Sequence, residues 1–290
     1  MAKVNHEQLS LNHGLYLSNM LMQDFYNEKS LSFQEVWEHY KEDILETISK
    51  PNKWTIIHWW LDFYNDLYEE NDAVKKNTDA MEHFEWIKDL LFDTDYMPDI
   101  PSPNFDDDEK RCGAVFPCEE EDCDCCQRII TWENYLFENI EKVNRRVVHS
   151  AFQILYANRR FMRDFNMEFS YILEEDTELN ARTDYFRDGK VKRNNYWPVW
   201  LKEAILYRDK GTCVNCKKDA TGKYSVGQDV TIDHIVPLNL YGSNDATNFQ
   251  LLCKTCNSSK GDRHSYTNSY NVPYWNLDKE SLNGKTEGTE

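Results

Sequence analysis

The residues best suited to chemistry in this 290-residue chain lie near its C-terminal end. Cys213-x2-Cys216 and Cys253-x2-Cys256 have the spacing of two zinc knuckles. Four thiolates at such spacing can close a tetrahedral Zn2+ site and tie distant chain segments together. The dipeptide Asp233-His234 stands between the knuckles, followed by Asn248, and Asn257 directly follows the last cysteine. A carboxylate and an amide oxygen suit a hard divalent cation, and an imidazole titrating near about 6.5 suits general-base work at neutral pH.

These residues sit in a wider pattern. Tyr207-Arg208-Asp209-Lys210-Gly211 precedes the first knuckle, and Thr231 to Leu238 reads TIDHIVPL. Gly242 to Cys253 reads GSNDATNFQLLC, and Cys256 to Arg263 reads CNSSKGDR. Over roughly residues 195–265 the pattern resembles the HNH (ββα-metal) endonuclease family, in its variant with asparagine at the third position. A single CxxC would say little, but two of them with DH and N between are specific. The resemblance implies a β-hairpin followed by a helix, bringing Asp233 and Asn257 to one cation, Mg2+ or Mn2+. It implies that His234 deprotonates the attacking water and that Asn248 ties down the loop after His234 and orients its imidazole. Asn257 in place of a third histidine keeps an oxygen ligand, as in other active members. Lys260, Arg263 and His264 are either phosphate contacts or a solvated helix end. The competing reading of the whole motif is a non-catalytic zinc ribbon that docks a partner or binds nucleic acid. Zinc alone explains the cysteines but not Asp233, His234, Asn248 and Asn257 at their places.

Charge divides the chain. The net charge is −18, yet residues 181–270 hold 14 Lys and Arg against 9 Asp and Glu. The remainder holds 19 basic and 42 acidic residues. The nuclease-like segment is mildly basic, as phosphate binding requires, whereas the rest repels phosphate. The acidic part therefore reads as a solvated surface, a protein-partner surface or a brake on the nuclease face. No apolar run approaches the ~18 residues of a membrane span, and Met1 to His6 lacks an apolar signal core. A cytoplasmic protein without membrane contact is the expectation, with its nine cysteines as metal ligands or free thiols.

Upstream, residues 1–95 have helical spacing, with Leu15, Leu17, Met20, Leu21 and Phe25 recurring on one stripe. Ser32-Phe33-Gln34-Glu35 reads as a capping box for a helix running to Ile48 and stopped by Pro51. Trp54 opens an aromatic helix, and Met81 to Phe92 forms another amphipathic one. His58 and His83 read as satisfied structural histidines. Residues 96–128 form an acidic, Pro-containing loop or linker with Cys112, Cys118, Cys123, Cys125 and Cys126. A second zinc site, reduced thiols and redox function are all open for this cluster. From Trp132 a helical pattern runs through Phe169 and Leu173. It holds Arg145, Arg146 and His149, too closely spaced for the Arg–His pair of HEPN ribonucleases. The link to the nuclease domain is expected at 174–192, and Trp197-Pro198-Val199-Trp200 opens that domain's first helix.

The expected architecture is a predominantly helical N-terminal domain followed by a small C-terminal ββα-metal domain with a four-cysteine zinc knuckle. Residues 1–95 and 129–180 supply the helical domain, 190–268 the nuclease and 269–290 a tail. The expected function is a metal-dependent endonuclease with DNA as its partner, RNA remaining an alternative. Family analogy adds prokaryotic anti-phage defence or restriction as a setting, with a protein partner, such as a separate ATPase, recruited through the acidic helices.

Overall fold

The computed structural model describes residues 10–27, 31–71, 79–105, 116–117, 123–220 and 230–268. The chain divides into two compact units, Met1–Ala157 and Asn158–Glu290. The first is helical and the second holds a small ββα region, as expected.

In the first unit, α1 (Leu11–Asn27), α2 (Leu31–Ser49), α3 (Ile56–Asn71) and α4 (Ala80–Asp93) assemble with the 33-residue α5 (Asp124–Tyr156). Leu17, Leu21 and Phe25 are the buried stripe of α1, whereas Leu15 stays exposed. Gly14 lets α1 approach α5 closely, since a Cβ there would lie 2.7 Å from Cβ of Ser150. Asp93, the last residue of α4, accepts from the N–H groups of Leu11, Asn12 and His13 and so caps α1. Burial opposes its charge, but these bonds and the Ser10 hydroxyl outweigh it and hold its pKa down to about 2.

The helix expected from Trp54 begins at Ile56. Thr55 precedes it, and its N–H donates to Nδ1 of His58 at 3.0 Å. The region around Ser32 begins its helix at Leu31, and the side chains at 31 and 32 lie outside the described residues. His58 and His83 are both buried, as structural histidines should be, with Nε2 of each bonded to His149 and Glu133 respectively. Cys123, Cys125 and Cys126 are buried at the start of α5. Cys112, Cys118, the acidic run at 106–109 and the tail at 269–290 lie outside the described residues.

One boundary differs from expectation. The helical pattern from Trp132 to Leu173 is two helices: α5 ends at Tyr156, and Asn158 caps α6 (Arg159–Glu175) by accepting from the Phe161 N–H. α6 belongs to the second unit, where its Asn166 donates to Thr247 at 3.1 Å. The expected link at 174–192 is instead structured. A 3-10 turn at Thr177–Ala181 leads into an antiparallel hairpin of β1 (Phe186–Arg187) and β2 (Lys190–Val191). Asp188 and Gly189 form its turn with φ of 53° and 72°, the left-handed pair that a two-residue hairpin demands.

Pro198 then caps α7 (Val199–Arg208), which packs on β4 (Phe249–Cys253). β3 (Val230–His234) pairs antiparallel with β4, Asp233 opposite Gln250 and His234 opposite Phe249. β4 leads without a spacer into α8 (Lys254–Lys260). Leu201, Ile205, Ala246, Phe249 and Leu251 form the core of this region.

Candidate metal centre and active site

The four paired cysteines come together. Their sulfur atoms all lie within 4.8 Å of one another, with Cys216 and Cys253 3.8 Å apart. Cys213 and Cys216 lie in the turns after α7, Cys253 ends β4, and Cys256 lies in the first turn of α8. Burial disfavours the Cys213 thiolate, but main-chain donors at Cys216, Cys253 and Asn215 bring its pKa down to about 7. Burial and then the neighbouring thiols push Cys256 up to about 12. Thiols this crowded cannot all ionise unless a cation joins them, and the donor set and spacing fit tetrahedral Zn2+.

A buried charge network stands behind this centre. Asp209 accepts from Nη1 of Arg159 at 3.2 Å, from Nε of Arg208 at 2.9 Å, and from the Leu251 N–H at 2.8 Å. Arg208 also donates to the Phe249 carbonyl. The network thus fixes α6, the end of α7 and β4 to one carboxylate.

Asp233 and His234 take opposite faces of β3, as strand alternation requires. His234 is only 6 % exposed, packed against Phe249 and Trp197 at ring separations of 4.7 and 5.8 Å. Burial above all, with Arg193 and Lys260 contributing, lowers its pKa to about 4 against the pull of the Asn244 hydrogen bond. The imidazole is therefore neutral at neutral pH. Its Nε2 lies 3.2 Å from Oδ1 of Asn244.

Asn248 ties the loop after His234. Its Oδ1 accepts from the Val236 N–H at 2.8 Å, and its Nδ2 donates to the carbonyls of Val236 and Ser243 at 2.9 Å each. Gly242 sits where this loop folds back, and a Cβ there would lie 2.0 Å from the Val236 carbonyl oxygen. Asn248 therefore shapes the loop, and the imidazole's own partner is Asn244.

Asp233 meets two partners that its motif did not reveal. Nζ of Lys260 lies 3.0 Å from its Oδ2, and Nε2 of Gln250 donates to the same oxygen at 3.1 Å. Burial raises its pKa, while the Lys260 ammonium and the Gln250 amide pull it down. Lys260 is buried and also donates to the His234 carbonyl, so it is neither a solvated end nor an exposed phosphate contact. Gln250 is fully buried, and its Oε1 has no hydrogen-bond partner among the described residues. Cross-strand register was the only sequence signal for Gln250, as the residue opposite Asp233.

Asn257 is half-buried on α8, three residues before Lys260. Residues three apart share a helix face, so Asn257 lies one turn from the side chain that reaches Asp233. The desolvated Asp233 carboxylate, the orphaned Gln250 amide oxygen and the Asn257 amide oxygen are each donors of the hard type that suits Mg2+ or Mn2+.

Residues 213–263 match the family model described as HNH endonuclease. The chain carries an HNH endonuclease domain. A curated relative, a "Probable HNH endonuclease" of Lactococcus phage SK1, is 29% identical over 103 residues, spanning 33% of this chain and 100% of its own length. No solved structure matches. The HNH domain makes the chain a nuclease, a metal-dependent hydrolase. The structure builds that HNH domain on more than the matched segment, since Arg159 and Asn166 of α6 bond to Asp209 and Thr247. Among the described residues, no helix is long and apolar enough to cross a membrane.

Proposed function

We propose that this protein is a DNA endonuclease in which His234 is the general base and Asp233 and Asn257 hold Mg2+ or Mn2+. The observation that carries this reading is the placement of a neutral, oriented imidazole next in sequence to a desolvated carboxylate. A phosphodiester resists hydrolysis because its charge repels nucleophiles and its alkoxide leaves poorly. A divalent cation on the scissile phosphate would offset that charge and stabilise the leaving oxygen. Asp233 and Asn257 supply the hard oxygen donors for it, and Gln250 holds the Asp233 carboxylate in place. His234 accepts the proton of the attacking water. Asn248 fixes the chain just beyond His234, which keeps the imidazole on its strand.

The mildly basic segment around the site supports nucleic acid as substrate. The acidic helical unit is read as a surface for a protein partner, such as a separate ATPase, in phage defence or restriction. The test is cleavage of plasmid DNA by the purified chain with Mg2+, Mn2+ or EDTA, beside His234→Ala. Metal-dependent nicking lost in the variant is expected. Equal activity of the variant overturns the base, and cleavage of RNA alone overturns the substrate. No cleavage of either, with zinc bound, would favour a zinc ribbon that only binds.

A further inference from the structure

Asn244 lies within the GSNDATNFQLLC stretch, but the pattern assigns it no role. It is fully buried, four residues before the loop-tying Asn248, and its amide bridges two elements. Nδ2 donates to the main-chain carbonyl of Lys192 at 2.8 Å, and Oδ1 lies 3.2 Å from Nε2 of His234. Both ends are determined by chemistry. A carbonyl only accepts, so the NH2 of Asn244 must face Lys192. The oxygen that then faces His234 also only accepts, so Nε2 must carry the proton. A neutral imidazole holds one N–H, and the lone pair is left on Nδ1.

Lys192 is itself held. It directly follows β2, its N–H donates to the Tyr185 carbonyl at 2.9 Å, and Phe186 and Val191 anchor the hairpin by burial. Lys190 of the same hairpin donates to Oδ1 of Asn239 at 2.8 Å, in the loop that carries Asn244. The hairpin lies entirely upstream of the segment that matches the HNH model.

We infer that Asn244 is a positioning residue for the hydrolysis: clamped by the Lys192 carbonyl, it holds His234 as its Nε2–H tautomer and leaves Nδ1 as the proton acceptor. This rests on the reading of His234 as base. An imidazole in the other tautomer would offer no lone pair at Nδ1 to take the proton. When Nδ1 takes the proton of water, Nε2 keeps its own, and the Asn244 oxygen goes on accepting from it.

Two measurements test this in the zinc-loaded full chain. The first is the ring-nitrogen NMR spectrum of uniformly 15N-labelled protein at neutral pH, with His234 assigned by the signal missing in His234→Ala. A protonated Nε2 and a bare Nδ1 are expected, and the reverse tautomer overturns the proposal whether or not His234 proves to be the base. The second compares Asn244→Asp with the isosteric Asn244→Leu. Aspartate keeps an acceptor for Nε2–H but gives up the N–H that meets the Lys192 carbonyl, whereas leucine removes both. The leucine variant should lose on the order of 10²-fold in kcat with KM unchanged, and the aspartate variant should lose less, on the order of tenfold. A purely structural asparagine predicts the opposite order, because a buried carboxylate harms the core more than leucine does. If His234→Ala still cleaves while the NMR result holds, the base assignment fails and the tautomer assignment stands. If neither Asn244 variant folds, the wild-type spectrum alone decides.

Discussion

Nζ of Lys260 lies 3.0 Å from Oδ2 of Asp233 and 2.7 Å from the main-chain oxygen of His234, so one buried ammonium ties the end of α8 to both residues of the DH dipeptide. The two side chains are 4 % and 14 % exposed. An ion pair this desolvated is costly to break from one side, since the survivor is left as an unpaired buried charge.

A double-mutant cycle should show this coupling. Lys260→Met and Asp233→Asn are each expected to lower stability by roughly 3 kcal/mol, and the double variant by less than the sum. Urea unfolding measures all three. Additive losses would mean that the pair contributes nothing beyond its separate groups.

The zinc centre should be separable from catalysis. His234→Ala is expected to retain zinc by metal analysis and to melt cooperatively. Cys253→Ser should lose zinc from this centre and unfold the HNH domain, because Cys253 both ends β4 and caps α8. Unchanged folding of the serine variant would rule out a structural metal at these cysteines.

Acid should destabilise the fold through its buried histidines. His234 titrates at about 4 in the folded chain and His58 is also lowered, both chiefly by burial. An unfolded histidine takes its proton near about 6.5. Stability from these groups is therefore complete above about pH 6.5 and lost as pH falls toward 4. Thermal melting at about pH 7.5 and about pH 5 should show a loss that is smaller in His234→Leu, by roughly 2 kcal/mol. An equal loss in both proteins would show that His234 is not held neutral by the fold.

The autonomous nuclease fragment should begin before α6. Arg159 and Arg208 share Asp209 with side-chain exposures of 1 %, 2 % and 0 %. A fragment spanning 158–290 is expected to fold and bind zinc. One spanning 181–290 leaves Asp209 without Arg159, strips the α6 face from the core and should be largely unfolded by circular dichroism. A well-folded shorter fragment would refute the role given to α6.

The parts of the site legible in the sequence are those whose chemistry admits few residue types. Zinc needs thiolates at knuckle spacing, so Cys213, Cys216, Cys253 and Cys256 could be read directly and meet in space. The loop-tying role of Asn248 was legible only through the family resemblance, and its amide does bond both edges of the folded-back main chain. Lys260, Gln250 and Asn244 were not legible, because what they do depends on where β3, β4 and α8 put them. The helix boundary at Ala157–Asn158 was hidden for a related reason. Apolar periodicity continues from α5 into α6, and only the Asn158 cap marks the break between two bodies.

Cys253 belongs at once to a strand, a helix and a metal centre, with no residue between β4 and α8 to absorb a change in length. One residue inserted between Gln250 and Lys254 would turn the helix by about 100° about its axis. That turn would carry Cys256 and Lys260 together away from their partners. Relatives should vary in side chain here while keeping the number of residues from Gln250 to Lys260 constant.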